Sequence, residues 1–207
     1  MLHELIPNLK QKTIVLASSS PRRKELLRKI GLNFLVVPSK FAEDLPKEAY
    51  ANRPEAYVVD TSKFKALNVL EERRRNNEIV IGCDTVVTLD NCIIEKPRNS
   101  EHAKEILRLL SGRTHSVFSG LTLAELADKE KRLSHSFEKT DVTFTQLSDS
   151  VIEAYVASGE PLDKAGAYGI QDTGALLVER VEGDYWNVVG LPLFRLWTEL
   201  RSFVASP

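Results

Sequence analysis

The chain has 207 residues, 43% of them hydrophobic, and 28 Lys and Arg against 29 Asp and Glu give a formal charge of −1. That length suits one large domain or two small ones with a substantial core, and the balanced charge excludes the global basic field that would hold a nucleic-acid backbone nonspecifically. Met1 to Lys12 has no signal-like apolar run, nothing approaches the roughly 18 apolar residues of a membrane span, and the only cysteines, Cys83 and Cys92, form no C-x-x-C pair. A soluble chain of the reducing cytosol is expected, without membrane or nucleic-acid partners.

Thr13 to Ala17 predicts a short strand, Ser18 to Pro21 a loop, and the next stretch, with Leu26, Leu27 and Ile30 on one face, a helix closed by Gly31. Phe34 to Pro38 is extended, and Ser39 to Pro54, with two prolines and several acids, is a loop and a candidate lid. Glu55 to Glu72 has helical periodicity, and the basic run from Arg73 ends that helix in solvent. Ile79 to Cys83 and Val86 to Leu89 read as a buried strand system interrupted at Asp84, before a turn at Asp90-Asn91 into Cys92 to Ile94.

Ser100 to Leu110 predicts a helix capped by Ser100, with Ser111-Gly112 ending it. Val117 to Leu123 and Lys139 to Phe144 predict strands joined by a polar connection, and Ser148 caps a helix to Ser158. Ala175 to Val181 is a further strand, and a last helix starts at Pro192. Interleaved strands and helices, without a repeat or a low-complexity linker, point to a single α/β domain over residues 1–207.

Four constellations carry chemistry. In Ser18-x-Ser20-Pro21-Arg22-Arg23 a hydroxyl caps a helix whose first turn holds proline and two arginines. Basic side chains oppose the macrodipole there, so an anion such as phosphate fits better than a bare capped helix. Asp84, in Gly82-Cys83-Asp84-Thr85, places a carboxylate inside an apolar strand region, where it needs a metal or donors; backbone N–H groups at a strand end are the structural alternative. Glu95-Lys96-Pro97 follows the hairpin, and Lys65 and Lys96 reach for phosphate or else are ordinary solvated lysines.

Pro161 to Gln171 brings backbone near a ligand through small residues, with Gln171 able to read a base edge, although composition alone describes a tight turn. Gly183 to Pro192 is a strand-to-helix junction whose aromatics suit the core. Cys83 has no histidine nearby to activate it, and His3, His102, His115 and His135 are scattered without metal-ligand spacing.

Together, S-x-S-P-R-R, G-x-D-T, E-K-P, S-G-R-x-H-S, D-K-A-G-A-Y-G-I-Q and N-V-V-G-L-P, in this order between Thr13 and Leu200, resemble the Maf family. The resemblance implies a Maf/ITPase-like α/β fold, a strongly twisted mixed β-sheet flanked by helices and split by a deep cleft, in a protein that is often a homodimer. It implies a nucleoside triphosphate pyrophosphatase using a divalent cation, Mg²⁺ or Mn²⁺. Asp84-Thr85 and Ala165 to Gln171 match the branch that hydrolyses dTTP and UTP rather than 7-methylguanosine triphosphate.

Carried over by position, Asp84 and Glu43 are the catalytic, metal-holding carboxylates. Ser18, Arg23, Lys65 and Lys96 fall where phosphates are contacted, and Arg22, Thr85 and Gln171 where specificity is set. Cys83 stands where alanine is common, and Asp172-Thr173 where glycine is frequent nearby. The alternative function, suggested by the family's association with septum formation, is a nucleotide-responsive binding module in cell division.

Overall fold

The computed structural model describes Leu9 and residues 12–127 and 130–205. Most of Met1 to Lys12, where the sequence shows no signal-like run, lies outside the described residues. Strands β1 (Thr13–Leu16), β2 (Leu35–Val36), β3 (Glu78–Leu89), β4 (Cys92–Ile94), β5 (Thr114–Ala127), β6 (Glu130–Phe144) and β7 (Val178–Glu182) form one mixed seven-stranded sheet. Its order is β2-β1-β3-β5-β6-β7, with β4 also on β3. The helices are α1 (Pro21–Lys29), α2 (Pro54–Arg73), α3 (Ser100–Leu110), α4 (Asp149–Ala157), α5 (Tyr185–Val189) and α6 (Leu193–Ala205).

The central strand β3 is apolar almost throughout because both its faces are covered. Val80 and Val86 pack toward α2, in clusters with Ala66, Val69 and Val58, whereas Ile79, Ile81 and Cys83 enter the main core with Leu26, Leu107, Ile152 and Leu196. Successive residues of one strand therefore serve two cores. Cys83 is wholly buried, and its thiol is pushed up by that burial, so it is packing, as its surroundings in sequence suggest.

Two glycines set how closely α2 lies on the sheet. A Cβ at Gly82 would stand 2.1 Å from Ser62 O, and one at Gly120, the strand partner of Asp84, 2.1 Å from Val58 O. Only the missing side chains allow the helix backbone down onto β3 and β5.

Several sequence expectations change. β3 is not interrupted at Asp84; it runs through without a break, because the carboxylate is satisfied from α2 and the strand has no need to turn it out to solvent. β5 and β6 are longer than expected and pair continuously from Thr114–Thr143 to Ala127–Glu130, since their far ends carry polar residues that mask the apolar pattern. Asn99, not Ser100, caps α3, accepting from His102 N at 2.9 Å. α2 ends at Arg73 and residues 74–77 are exposed, as expected, but Arg73 itself forks onto Glu78, with both contacts at 2.6 Å. Thr173–Leu177 is a 3-10 turn, so the last strand starts at Val178, and Lys47–Tyr50 forms another 3-10 turn inside the predicted loop. The closing of α1 at Gly31 (φ +75°) and the capping of α4 by Ser148 are as expected.

Candidate active site

The sheet has a gap at its centre. β1 runs parallel to β3 only as far as Leu16, opposite Ile81, and β4 joins the same edge antiparallel only from Val87. Between them Gly82 to Val86 has no strand on that side. A cavity of about 470 Å³ opens there, a volume typical of a small-molecule site. Ser18, Arg22, Arg23, Glu43, Lys65, Asp84, Thr85, Lys96 and Gln171, the nine residues singled out from the sequence, all line it.

One wall is acidic. Lys65, from the middle of α2, puts Nζ 2.7 Å from Asp84 Oδ1 and 2.8 Å from Glu43 Oε2. This links the Ser39-to-Pro54 loop to the sheet. Asp84 and Lys65 are buried, while Glu43 is exposed. A third carboxylate, Glu95, accepts from Lys47 at 2.5 Å and from Tyr57 Oη at 3.5 Å. Burial, then the charges of Glu95, Asp84 and Glu43, push the Tyr57 hydroxyl above its ordinary range, so it stays protonated beside them.

The opposite wall is built around the N-terminus of α1. Ser20 caps the helix, accepting from Arg23 N at 3.5 Å; Pro21 follows, and Ser18 Oγ accepts from Ser20 N at 3.2 Å. Arg23 is buried and donates to Gly190 O at 2.9 Å, Ser18 Oγ at 3.1 Å and Thr85 Oγ1 at 3.1 Å. Its guanidinium therefore ties three segments together and keeps further donors for a ligand. Arg22 reaches across to Asp163 Oδ2 at 3.2 Å. Burial acts to raise the Asp163 carboxyl, but the bonds and charges of Lys164 and Arg22 outweigh it and hold the group below the usual range.

The third wall is the segment after α4. Gly166 and Ala167 both have positive φ, 71° and 57°, the latter strained for a residue with a side chain. A Cβ at Gly166 would lie 2.7 Å from Val87 Cγ2, so this turn sits directly on β3. Gln171 and Lys96 face the cavity without a protein hydrogen-bond partner among the described residues. Tyr57, Glu95, Asp163 and Lys164 also line it and were not singled out from the sequence. The last three lie inside quoted motifs, which is the signal that could have found them.

The charge pattern suits a triphosphate with a hard cation. Among the described residues no three His, Cys, Asp or Glu side chains form a cage; magnesium, held by one or two carboxylates with phosphate and water supplying the rest, requires none. Asp84 leaves Oδ2 without a protein partner among the described residues, and Glu43 is open to solvent, so both carboxylates have oxygens to give.

The family model for Maf-like proteins matches residues 13–203. The chain belongs to the Maf-like family. Among its relatives, a Bacillus cereus (strain ATCC 10987 / NRS 248) protein named "dTTP/UTP pyrophosphatase" is 44% identical over 98% of this chain and 96% of its own length. A Clostridium tetani protein of the same name is 43% identical over 90% of this chain and 95% of its own. A human protein named "Probable bifunctional dTTP/UTP pyrophosphatase/methyltransferase protein" is 47% identical across all of this chain, which spans 34% of that longer protein. No helix among the described residues of this family member is long and apolar enough to cross a membrane.

Proposed function

We propose that this Maf-like chain is a nucleoside triphosphate pyrophosphatase that hydrolyses dTTP and UTP to the monophosphate and pyrophosphate. The reading is carried by one arrangement: a cavity with the buried Lys65–Asp84 pair and Glu43 on one side, and arginines at a helix N-terminus on the other. Its substrates are taken from the names of the full-length bacterial relatives.

Arg22, Arg23, Lys96 and Ser18 meet the phosphates, and their charge counts most where negative charge spreads over the transferring oxygens. Asp84, through Oδ2, accepts a proton from the attacking water, while Lys65 holds Oδ1 and fixes the plane of the carboxylate. Glu43 and Asp84 would hold a divalent cation, Mg²⁺ or Mn²⁺, which supplies positive charge to the phosphate oxygens when bound. Thr85, Arg22 and Gln171 set base choice: the Gln171 amide offers one donor and one acceptor, matching the O4 and N3–H edge of thymine and uracil, which cytosine reverses. A single-domain, cytosolic homodimer completes the reading.

A nucleotide panel scored by pyrophosphate release tests it. dTTP and UTP should exceed CTP and dCTP in kcat/KM, with purines poorer still, since a mismatched edge leaves buried groups unpaired. Preference for CTP, GTP or 7-methylguanosine triphosphate sinks the base assignment, and stoichiometric binding without pyrophosphate release sinks the enzyme.

A further inference from the structure

Tyr155 and Glu160 line no part of the cavity, yet they meet behind the segment that carries Gln171. Tyr155, from α4, is 5% exposed; its Oη donates to Glu160 Oε1 at 2.8 Å and accepts from Gly169 N at 3.0 Å. Glu160 Oε1 also accepts from Gly174 N at 3.1 Å, and Oε2 from Thr173 N at 3.1 Å. One hydroxyl thus takes the amide two residues before Gln171, and one carboxylate takes the amides two and three residues after it.

The loop is drawn shut across these two side chains. A Cβ at Gly174 would lie 2.5 Å from both Gly169 O and Tyr155 Oη, so the two ends of the loop touch and have no room for a side chain. The main chain of Glu160 is anchored as well, its carbonyl accepting from Lys164 Nζ at 2.6 Å. Because the Gln171 amide has no protein partner among the described residues, its place is set by its backbone alone. Bonds to an ionised carboxylate are roughly twice as strong as neutral ones, which makes Glu160 the firmest constraint on that backbone.

We propose that Glu160, with Tyr155, is the positioning residue that fixes the Gly169-to-Gly174 loop and thereby sets base selectivity at Gln171. This rests on the pyrophosphatase reading. Glu160 touches neither phosphate nor base; it acts by holding the loop in one shape, so that the amide of Gln171 presents its donor and acceptor in a fixed order.

The test compares wild type, Glu160→Gln and Tyr155→Phe in steady-state kinetics with UTP and CTP, with hydrogen exchange at Gly169, Thr173 and Gly174 as a readout that needs no substrate. Glu160→Gln keeps one acceptor oxygen and turns an NH₂ group toward an N–H donor. Exchange at Thr173 and Gly174 should quicken by roughly tenfold, the factor expected for one lost hydrogen bond, while β3 amides stay unchanged. KM for UTP should rise by about the same factor with kcat within about twofold, because the lost contact is to the backbone of the loop that carries Gln171 and not to the Lys65–Asp84 pair. The preference for UTP over CTP should fall in proportion, and Tyr155→Phe should show the same pattern centred on Gly169.

Wild-type exchange and a wild-type UTP-to-CTP ratio in both variants overturn the proposal, as does a loss confined to kcat. Should Glu160→Gln fail to fold, Tyr155→Phe, which removes only a hydroxyl, carries the same measurements. A wild-type chain that releases no pyrophosphate from UTP overturns the pyrophosphatase reading instead, and amide exchange then decides by itself whether these residues hold the loop.

Discussion

Lys65 Nζ and Asp84 Oδ1 lie 2.7 Å apart in the cavity wall, on side chains only 8% and 9% exposed. Removing one partner of such a pair strands a charge, whereas removing both leaves none. Lys65→Met should therefore cost about 3 kcal/mol, the lower end for a buried pair because the cavity admits water on one side. Lys65→Met combined with Asp84→Asn should recover most of that loss while remaining without turnover. Denaturant midpoints and pyrophosphate release on the two variants check this; an additive loss of stability contradicts it.

The two carboxylates should separate in their effects. Asp84→Asn keeps shape and a bond to Lys65 but accepts no proton, so kcat should fall by roughly 10²- to 10⁴-fold in a folded protein. Glu43→Gln, in the exposed loop, should lower turnover and also flatten its dependence on Mg²⁺. Retention of both rate and metal response in Glu43→Gln would return Glu43 to ordinary surface structure.

Arg22 and Lys96 should matter for the triphosphate more than for the product. Each loses a charge-assisted contact on truncation, so Arg22→Ala and Lys96→Ala should lower kcat/KM for UTP by roughly 10- to 100-fold while weakening UMP binding far less. Equal weakening of both ligands, measured by calorimetry, would put these side chains away from the leaving pyrophosphate.

His115 gives a pH signature unrelated to the chemistry. It is 2% exposed, pairs through Nε2 with Tyr168 Oη at 2.9 Å, and burial pushes its pKa down from 6.5 to about 4. The folded state holds it neutral where the unfolded chain binds a proton. Its stabilising contribution is thus full above pH 6.5 and is lost as pH falls toward 4, by up to about 3 kcal/mol. The stability of His115→Gln should fall less steeply across that window than that of wild type. Parallel unfolding curves from pH 7 to 4 would contradict this.

Asp84 shows both the reach and the limit of sequence reading. A lone carboxylate in an apolar run was legible as something needing a partner, and the motifs around it led to nine residues that share one cavity. Its partner was not legible, because Lys65 stands 19 residues earlier on a helix whose height over the strand depends on glycines at 82 and 120. The strand was consequently read as broken where it is continuous. Arg23 posed the same problem: nothing local announces that its Nε binds Gly190, 167 residues away. Glu160 was missed for a related reason. Its carboxylate serves backbone amides, and an acceptor of N–H groups leaves no residue-type pattern to find.

Asp84 and Thr85 are neighbours in sequence but project from opposite faces of β3, one to Lys65 of α2 and the other to Arg23 and Gly190. The pleat therefore splits the labour of the site between two independently packed halves of the molecule. The shortest link between the two sides is the one peptide unit that joins Asp84 to Thr85, in a strand paired to β5 at both residues. Arg23 stands with Thr85 on one half, and Asp84 and Glu43 stand with Lys65 on the other, so only a ligand lying across the strand engages both at once.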